Sequence, residues 1–247
     1  MKKHILIGCL SLFSFISVGQ EQVYELRTYE LNFFKSADLL HRYLSEAFIP
    51  AMNRLGSKSI GVFEEEGATL PAKIYVLIPY ATISDFQSAR KVLEEDEQYQ
   101  KAAANYFQAG ADEVPFDKIQ TSLIQSSVGF PELKNPRIEN GFFELRIYTS
   151  PNEAALRSKL KMFDEHEFPI FEDAGLNMVF FGVNLAGGAI PCLTYLLVTE
   201  SKEANATGWS QFIQHPEWKR ISALEEFKGN MNNILRVYLK PLAYSQL

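Results

Sequence analysis

The sequence predicts an α+β fold written twice, and three observations predict it. Residues 24–29 read Tyr-Glu-Leu-Arg-Thr-Tyr, and residues 143–148, 119 positions on, read Phe-Glu-Leu-Arg-Ile-Tyr. The same displacement sets Pro50 on Pro169, Gly56 on Gly175 and Tyr99 on Trp218, and a displacement of 120 sets Tyr75 on Tyr195. Between the copies, residues 126–141 collect two Gly, two Pro and two Asn without apolar periodicity, which is linker composition. A repeat this long is a whole domain, since solenoid units recur every ~20–50 residues.

Each copy reads strand, helix, two strands, helix, strand. In the first, residues 23–29 form the opening strand. A helix over 36–55 follows, because Leu40, Leu44, Ala47, Ala51 and Leu55 keep one helical face and Gly56 supplies the left-handed stop. Residues 60–64 and 74–78 are a hairpin around Gly67 and Pro71, residues 84–107 a second helix, and 119–125 the closing strand. The second copy repeats this with strands over 143–148, 178–183, 193–198 and 234–239, and helices over 152–174 and 209–227. This βαββαβ order is ferredoxin-like, an antiparallel sheet with both helices on one face.

Two tandem repeats, 20–125 and 142–247 about the 126–141 linker, can cover each other's bare sheet faces by closing into one barrel inside a single chain. Alternation along the strand then puts Tyr24, Leu26 and Thr28 toward the helices. It puts Glu25, Arg27 and Tyr29, with Glu144, Arg146 and Tyr148, into the lumen. Glu and Arg two apart on one face can form a charge-assisted pair.

The chain opens Met1-Lys2-Lys3-His4, followed by an apolar run over 5–18 that is the length of a signal-peptide core and too short to span a bilayer. Small residues before Gln20 place cleavage there, so 1–19 is read as a signal peptide and the protein as secreted or periplasmic. Lipidation at Cys9 fits less well, because it would leave the apolar run on the mature chain. Removing Lys2 and Lys3 takes the net charge from −6 to −8, which disfavours nucleic acid and anionic membrane as partners. Cys192 is then the single thiol and reads as buried and inert.

Glu-Leu-Arg-x-Tyr at 25–29 and 144–148, Glu-His-Glu-Phe-Pro at 165–169 ahead of Gly175, and His-Pro-Glu-Trp-Lys-Arg at 215–220 stand in one order along the chain. In these segments the chain resembles the NIPSNAP family of the dimeric α+β-barrel superfamily, over about 21–244. The first copy departs from the pattern, with Ala47 opposite His166 and residues 96–101 in place of the 215–220 segment, so a site is sought in the second copy. Relatives in the wider superfamily include monooxygenases, isomerases and haem enzymes, but fold does not carry function.

His166, placed on the sheet-facing stripe with Phe163 and Ile170, is the candidate proton-transfer group or haem ligand, against a purely structural histidine. Ile170 stands where a second zinc ligand would be required, so no metal is proposed, and no cofactor beyond the haem alternative. Pro50 and Pro169 should kink or break their helices. Arg27 and Arg146 could grip a carboxylate or phosphate, with Tyr29, Tyr148, Tyr75 and Tyr195 supplying hydroxyls and Glu25 and Glu144 the counter-charges. The opposing reading is a salt-bridge lattice that only fixes the sheets. The sequence thus predicts a small polar or aromatic ligand in the lumen. The rivals are a cofactor-independent monooxygenase or isomerase, and an interaction module with a filled barrel. A second copy of the chain is a further candidate partner.

Overall fold

A computed structural model describes residues 21–247, so the signal peptide expected over 1–19 and the Cys9 alternative lie outside the described residues. The first repeat runs β1 (Val23–Leu31), α1 (Asp38–Arg42), a π-helical turn (Tyr43–Phe48), α2 (Ile49–Arg54), β2 (Gly61–Glu65) and β3 (Lys73–Tyr80). It ends with α3 (Ile83–Glu95), α4 (Glu97–Ala102), α5 (Ala104–Phe107) and β4 (Phe116–Ser126). The second runs β5 (Phe142–Thr149), α6 (Glu153–Met162), a π-helical turn (Phe163–Glu167), α7 (Phe168–Asp173), β6 (Asn177–Ala186) and β7 (Cys192–Thr199). It ends with α8 (Lys202–Gln214), α9 (Pro216–Ile221), a 3₁₀ turn (Glu225–Phe227) and β8 (Asn233–Pro241). No helix among the described residues is long and apolar enough to cross a membrane.

The strands close into one antiparallel barrel in the order β1-β3-β2-β8-β5-β7-β6-β4. Each repeat contributes a four-stranded ferredoxin-like sheet, and the seams between repeats are β2 with β8 and β4 with β6. At the second seam the strands run so close that a Cβ on Gly182 would sit 2.3 Å from the Gln125 carbonyl oxygen. The fold is therefore the predicted α+β barrel of two tandem ferredoxin-like repeats.

The faces of the strands are the reverse of those expected. Tyr24, Leu26, Phe63, Tyr75 and Leu77 from the first repeat pack with Phe143, Leu145, Phe180 and Leu196 from the second. Their ring contacts cross between repeats, Tyr24 to Phe180 at 5.0 Å and Phe63 to Phe143 at 4.8 Å. These residues fill the lumen. Tyr29 and Tyr148 belong instead to the two separate cores under the helices. The reason is spatial: an eight-stranded barrel is just wide enough to be filled by side chains, and charges there would be dry on every side. Tyr75 and Tyr195 also part company, Tyr75 lining the lumen and Tyr195 facing the helices. The ladders explain it, since Arg27 lies opposite Val76 whereas Arg146 lies opposite Tyr195.

Both prolines act through the turn before them. Ile49 and Phe168 donate to the carbonyls of Leu44 and Phe163, five residues back, so each helix widens into a π turn ahead of its proline. The wider turn moves the inward stripe by one residue, burying Glu167 and leaving His166 at the seam with α9. The second helix of the second repeat begins seven residues earlier than expected. Ser201 caps it by accepting from the Ala204 N–H, as Thr82 accepts from Asp85 in the first repeat.

Candidate functional site

With Glu25, Arg27, Glu144 and Arg146 turned outward from the barrel, each repeat has a cavity between its sheet and its second pair of helices. The first, about 720 Å3, is lined by Glu25, Arg27, Tyr43, Phe48, Tyr99 and their neighbours. The second, about 490 Å3, has Arg146, Tyr148, Lys159 and Glu167 on its inner walls. Trp209, Phe212 and Trp218 stand around it, and Lys202 and Arg236 also line it. Both fall within the size range of small-molecule sites.

Beside the second cavity, Glu144 is fully buried and accepts three hydrogen bonds from residues that line it: Arg146 Nε at 2.7 Å, Asn205 Nδ2 at 2.9 Å and Trp209 Nε1 at 2.7 Å. Anchoring the indole nitrogen fixes the Trp209 ring over the Arg146 guanidinium, 3.4 Å from its centroid. Arg146 Nη1 donates to the Tyr148 hydroxyl at 2.9 Å, and Tyr195 donates to that same hydroxyl at 2.6 Å. Burial disfavours the charge on Arg146, but Tyr195, Tyr148 and Glu144 outweigh it and hold the guanidinium above its ordinary value. Burial pushes the Tyr195 phenol well up, so it stays protonated and able to donate.

Deeper in the wall, Lys159 Nζ donates to Glu167 Oε1 at 2.6 Å, the two side chains 4% and 2% exposed. The rings of Phe163, Tyr148 and Trp218 surround the ammonium at 4.8–5.7 Å. Desolvation raises the Glu167 carboxyl above its ordinary value, and the attraction of Lys159 only partly offsets it. Neither residue was singled out from the sequence. A signal was present, because the 119-residue displacement sets Lys159 on Leu40 and Glu167 on Phe48, charges where the twin helix has apolar core.

The first cavity is balanced in charge. Arg27 spends two donors on Glu25, at 2.5 and 3.0 Å, and Tyr80 and Thr121 also donate to that carboxylate. Arg27 stacks on Phe48 at 4.8 Å, and Tyr43 meets Tyr99 hydroxyl to hydroxyl at 2.8 Å. Arg90 at its rim is paired with Glu94. In the second cavity, Arg146 lies directly opposite Arg236 across the β5–β8 ladder. Neither Arg236 nor Lys202 has an ion-pair partner within 4 Å among the described residues. Its lining thus holds Arg146, Lys159, Lys202 and Arg236 against Glu167, with Glu144 paired to Arg146 outside the lining, an excess of positive charge in an aromatic pocket.

His166 is not part of this cavity. It is 24% exposed on the outer side, its Nδ1 3.4 Å from Glu217 and its ring edge-on to Phe227. Tyr75 donates to Glu65 and also lies away from both cavities. Trp218 and Tyr99, matched by the repeat, both pack into the cores under the helices.

No curated protein sequence matches the chain. Among solved structures it is similar to a candidate monooxygenase from Fusobacterium nucleatum, with 12% identity, a TM-score of 0.56, and 90% of this chain and 93% of that one covered. A candidate monooxygenase from Lactobacillus acidophilus gives 12%, 0.56, 90% and 94%. At that identity the likeness is one of fold. A NIPSNAP family protein of unknown function from Agrobacterium tumefaciens is 18% identical and matches 44% of this chain over 94% of its own, with a TM-score of 0.37. The NIPSNAP family model matches residues 24–114 and again 143–246, once on each repeat. The chain is a member of the NIPSNAP family carrying two copies of its domain.

Proposed function

We propose that the protein binds a small aromatic or conjugated carboxylate in the cavity of its second repeat. The observation that carries this reading is the pair Arg146 and Arg236, directly opposite on one sheet face at an aromatic-walled cavity. Like charges directly opposite on a sheet destabilise it, and an anion between them converts that repulsion into attraction. The Glu144 carboxylate pairs with Arg146 and is held by two neutral donors, so it orients Arg146 and leaves Arg236 and Lys202, among the described residues, as the unpaired charges at the ligand's site. Trp209 and Trp218 supply faces for a flat ring.

The lumen is a packed apolar core, so the ligand's place moves from inside the barrel to between sheet and helices. Packing of the lumen alone would favour an interaction module, but the two cavities outside it favour a ligand. Calorimetric titration with phenylacetate tests the reading: binding to the wild type, and its loss in Arg146→Met, support it. Equal affinity of the neutral amide phenylacetamide would overturn it. Export belongs to the same reading, on the basic start and apolar run of residues 1–19. An exported chain whose intact mass does not begin at Gln20 would contradict it.

A further inference from the structure

The Lys159–Glu167 pair has an internal control. At the equivalent places the first repeat has Leu40 and Phe48, both buried in its core, and the same helix, π turn and proline form there without any charge. The fold therefore does not require the pair. Replacing a buried ion pair by packed apolar groups is often neutral or stabilising, so two charges kept at 4% and 2% exposure call for a role beyond packing. Both side chains line the cavity that also holds Arg146. Lys159 spends its short hydrogen bond on Glu167 Oε1, and among the described residues no donor reaches Oε2.

We propose that Lys159 and Glu167 are a proton-transfer pair that interconverts the keto and enol forms of an aromatic 2-oxo acid held in the second cavity. This rests on the carboxylate-binding reading above and adds a reaction to it. The ligand's carboxylate lies between Arg146 and Arg236, its ring against the indoles, and its keto carbon toward Lys159. Glu167 takes a proton from the carbon next to the ketone. The C–H electron pair becomes the C=C bond, and the carbonyl π pair moves to oxygen, which accepts a proton from the Lys159 ammonium. Carbon loses one proton and oxygen gains one, so the product is an isomer and no oxidant or cofactor is consumed. The resulting carboxylic acid and amine are already in contact at 2.6 Å, and passing the proton from Glu167 to Lys159 restores the starting state. Two groups of opposite role, in direct contact and shielded from water, meet the geometric needs of general acid–base catalysis.

The test is deuterium uptake at the methylene carbon of phenylpyruvate in D2O, followed by proton NMR beside calorimetric binding of the same compound. The wild type should exchange the methylene protons saturably above the rate in buffer. Glu167→Gln, which keeps a partner for Lys159, should bind phenylpyruvate and exchange it at least about 100-fold more slowly. The double variant Lys159→Leu, Glu167→Phe, which imports the first repeat's own residues, should fold, bind and not exchange. Wild-type exchange no faster than buffer with binding intact overturns the catalytic proposal and spares the binding reading, whereas absence of phenylpyruvate binding sinks both. Undiminished exchange in Glu167→Gln or in the double variant also overturns it.

Discussion

Removing Lys159 alone should be far more damaging than removing Lys159 and Glu167 together. In Lys159→Leu the Glu167 carboxylate, 2% exposed, loses the donor at 2.6 Å and is left in a wall shared with Tyr148, Phe171 and Trp218. Breaking a buried pair in this way costs about 3–5 kcal/mol. The cost grows with pH. Desolvation already holds the Glu167 carboxyl above its ordinary value, and losing Lys159 removes what opposed that. The native state then binds this proton more tightly than the unfolded chain. Its contribution is complete below the unfolded carboxyl value and is lost as pH rises through the higher native one, at up to about 1.4 kcal/mol per pH unit. Adding Glu167→Phe should return stability to within about 1 kcal/mol of wild type, because an uncharged pair fills the twin site. Urea unfolding followed by tryptophan fluorescence at pH 5 and pH 8 measures all three chains. A single variant costing under about 1 kcal/mol at both pH values, or a double variant as unstable as the single one, would refute the reasoning.

Three further outcomes follow from the geometry. His166→Ala should change stability by no more than about 0.5 kcal/mol and leave phenylacetate affinity as it was, since the imidazole meets the exposed carboxylates of Glu165 and Glu217 and the edge of Phe227; a tenfold loss of affinity on titration would contradict this. Gly182→Ala should destabilise the protein by about 1–3 kcal/mol in thermal or urea unfolding, because the new methyl meets the Gln125 carbonyl and forces the β4–β6 seam apart; wild-type stability would show the seam to be loose. Cys192 is buried, and burial pushes its thiol up to about 11. The peptide that carries it should resist iodoacetamide at pH 8 until the chain is unfolded, and rapid native labelling would contradict that.

The architecture was legible because the repeat was. One displacement aligns Glu25 with Glu144, Pro50 with Pro169 and the caps Thr82 and Ser201, and two βαββαβ units leave few ways to cover their sheets. The direction of the charged strand face was not legible, because β1 is buried on both faces from Val23 to Leu26, so hydrophobic alternation does not say which side is the lumen. The decisive fact is the width of a closed eight-stranded barrel, a property of closure rather than of any strand. Glu144, Arg146 and Tyr148 are legible in the repeated strand, but of the two donors that hold Glu144, Asn205 falls outside the expected helix and Trp209 at its first residue, since residues 202–208 hold almost no apolar periodicity. Regular helical spacing puts His166 on the sheet-facing stripe, and the π turn ahead of Pro169 displaces that spacing by one residue, so that Glu167 is buried there.

Locating a heavy-atom ligand tests the central claim most directly. In a crystal soaked with 4-bromobenzoate, the anomalous signal of bromine should lie in the second repeat's cavity, with the carboxylate within hydrogen-bond distance of Arg146 and the ring beside Trp209. Bromine in the first repeat's cavity, or outside both cavities, would contradict the account.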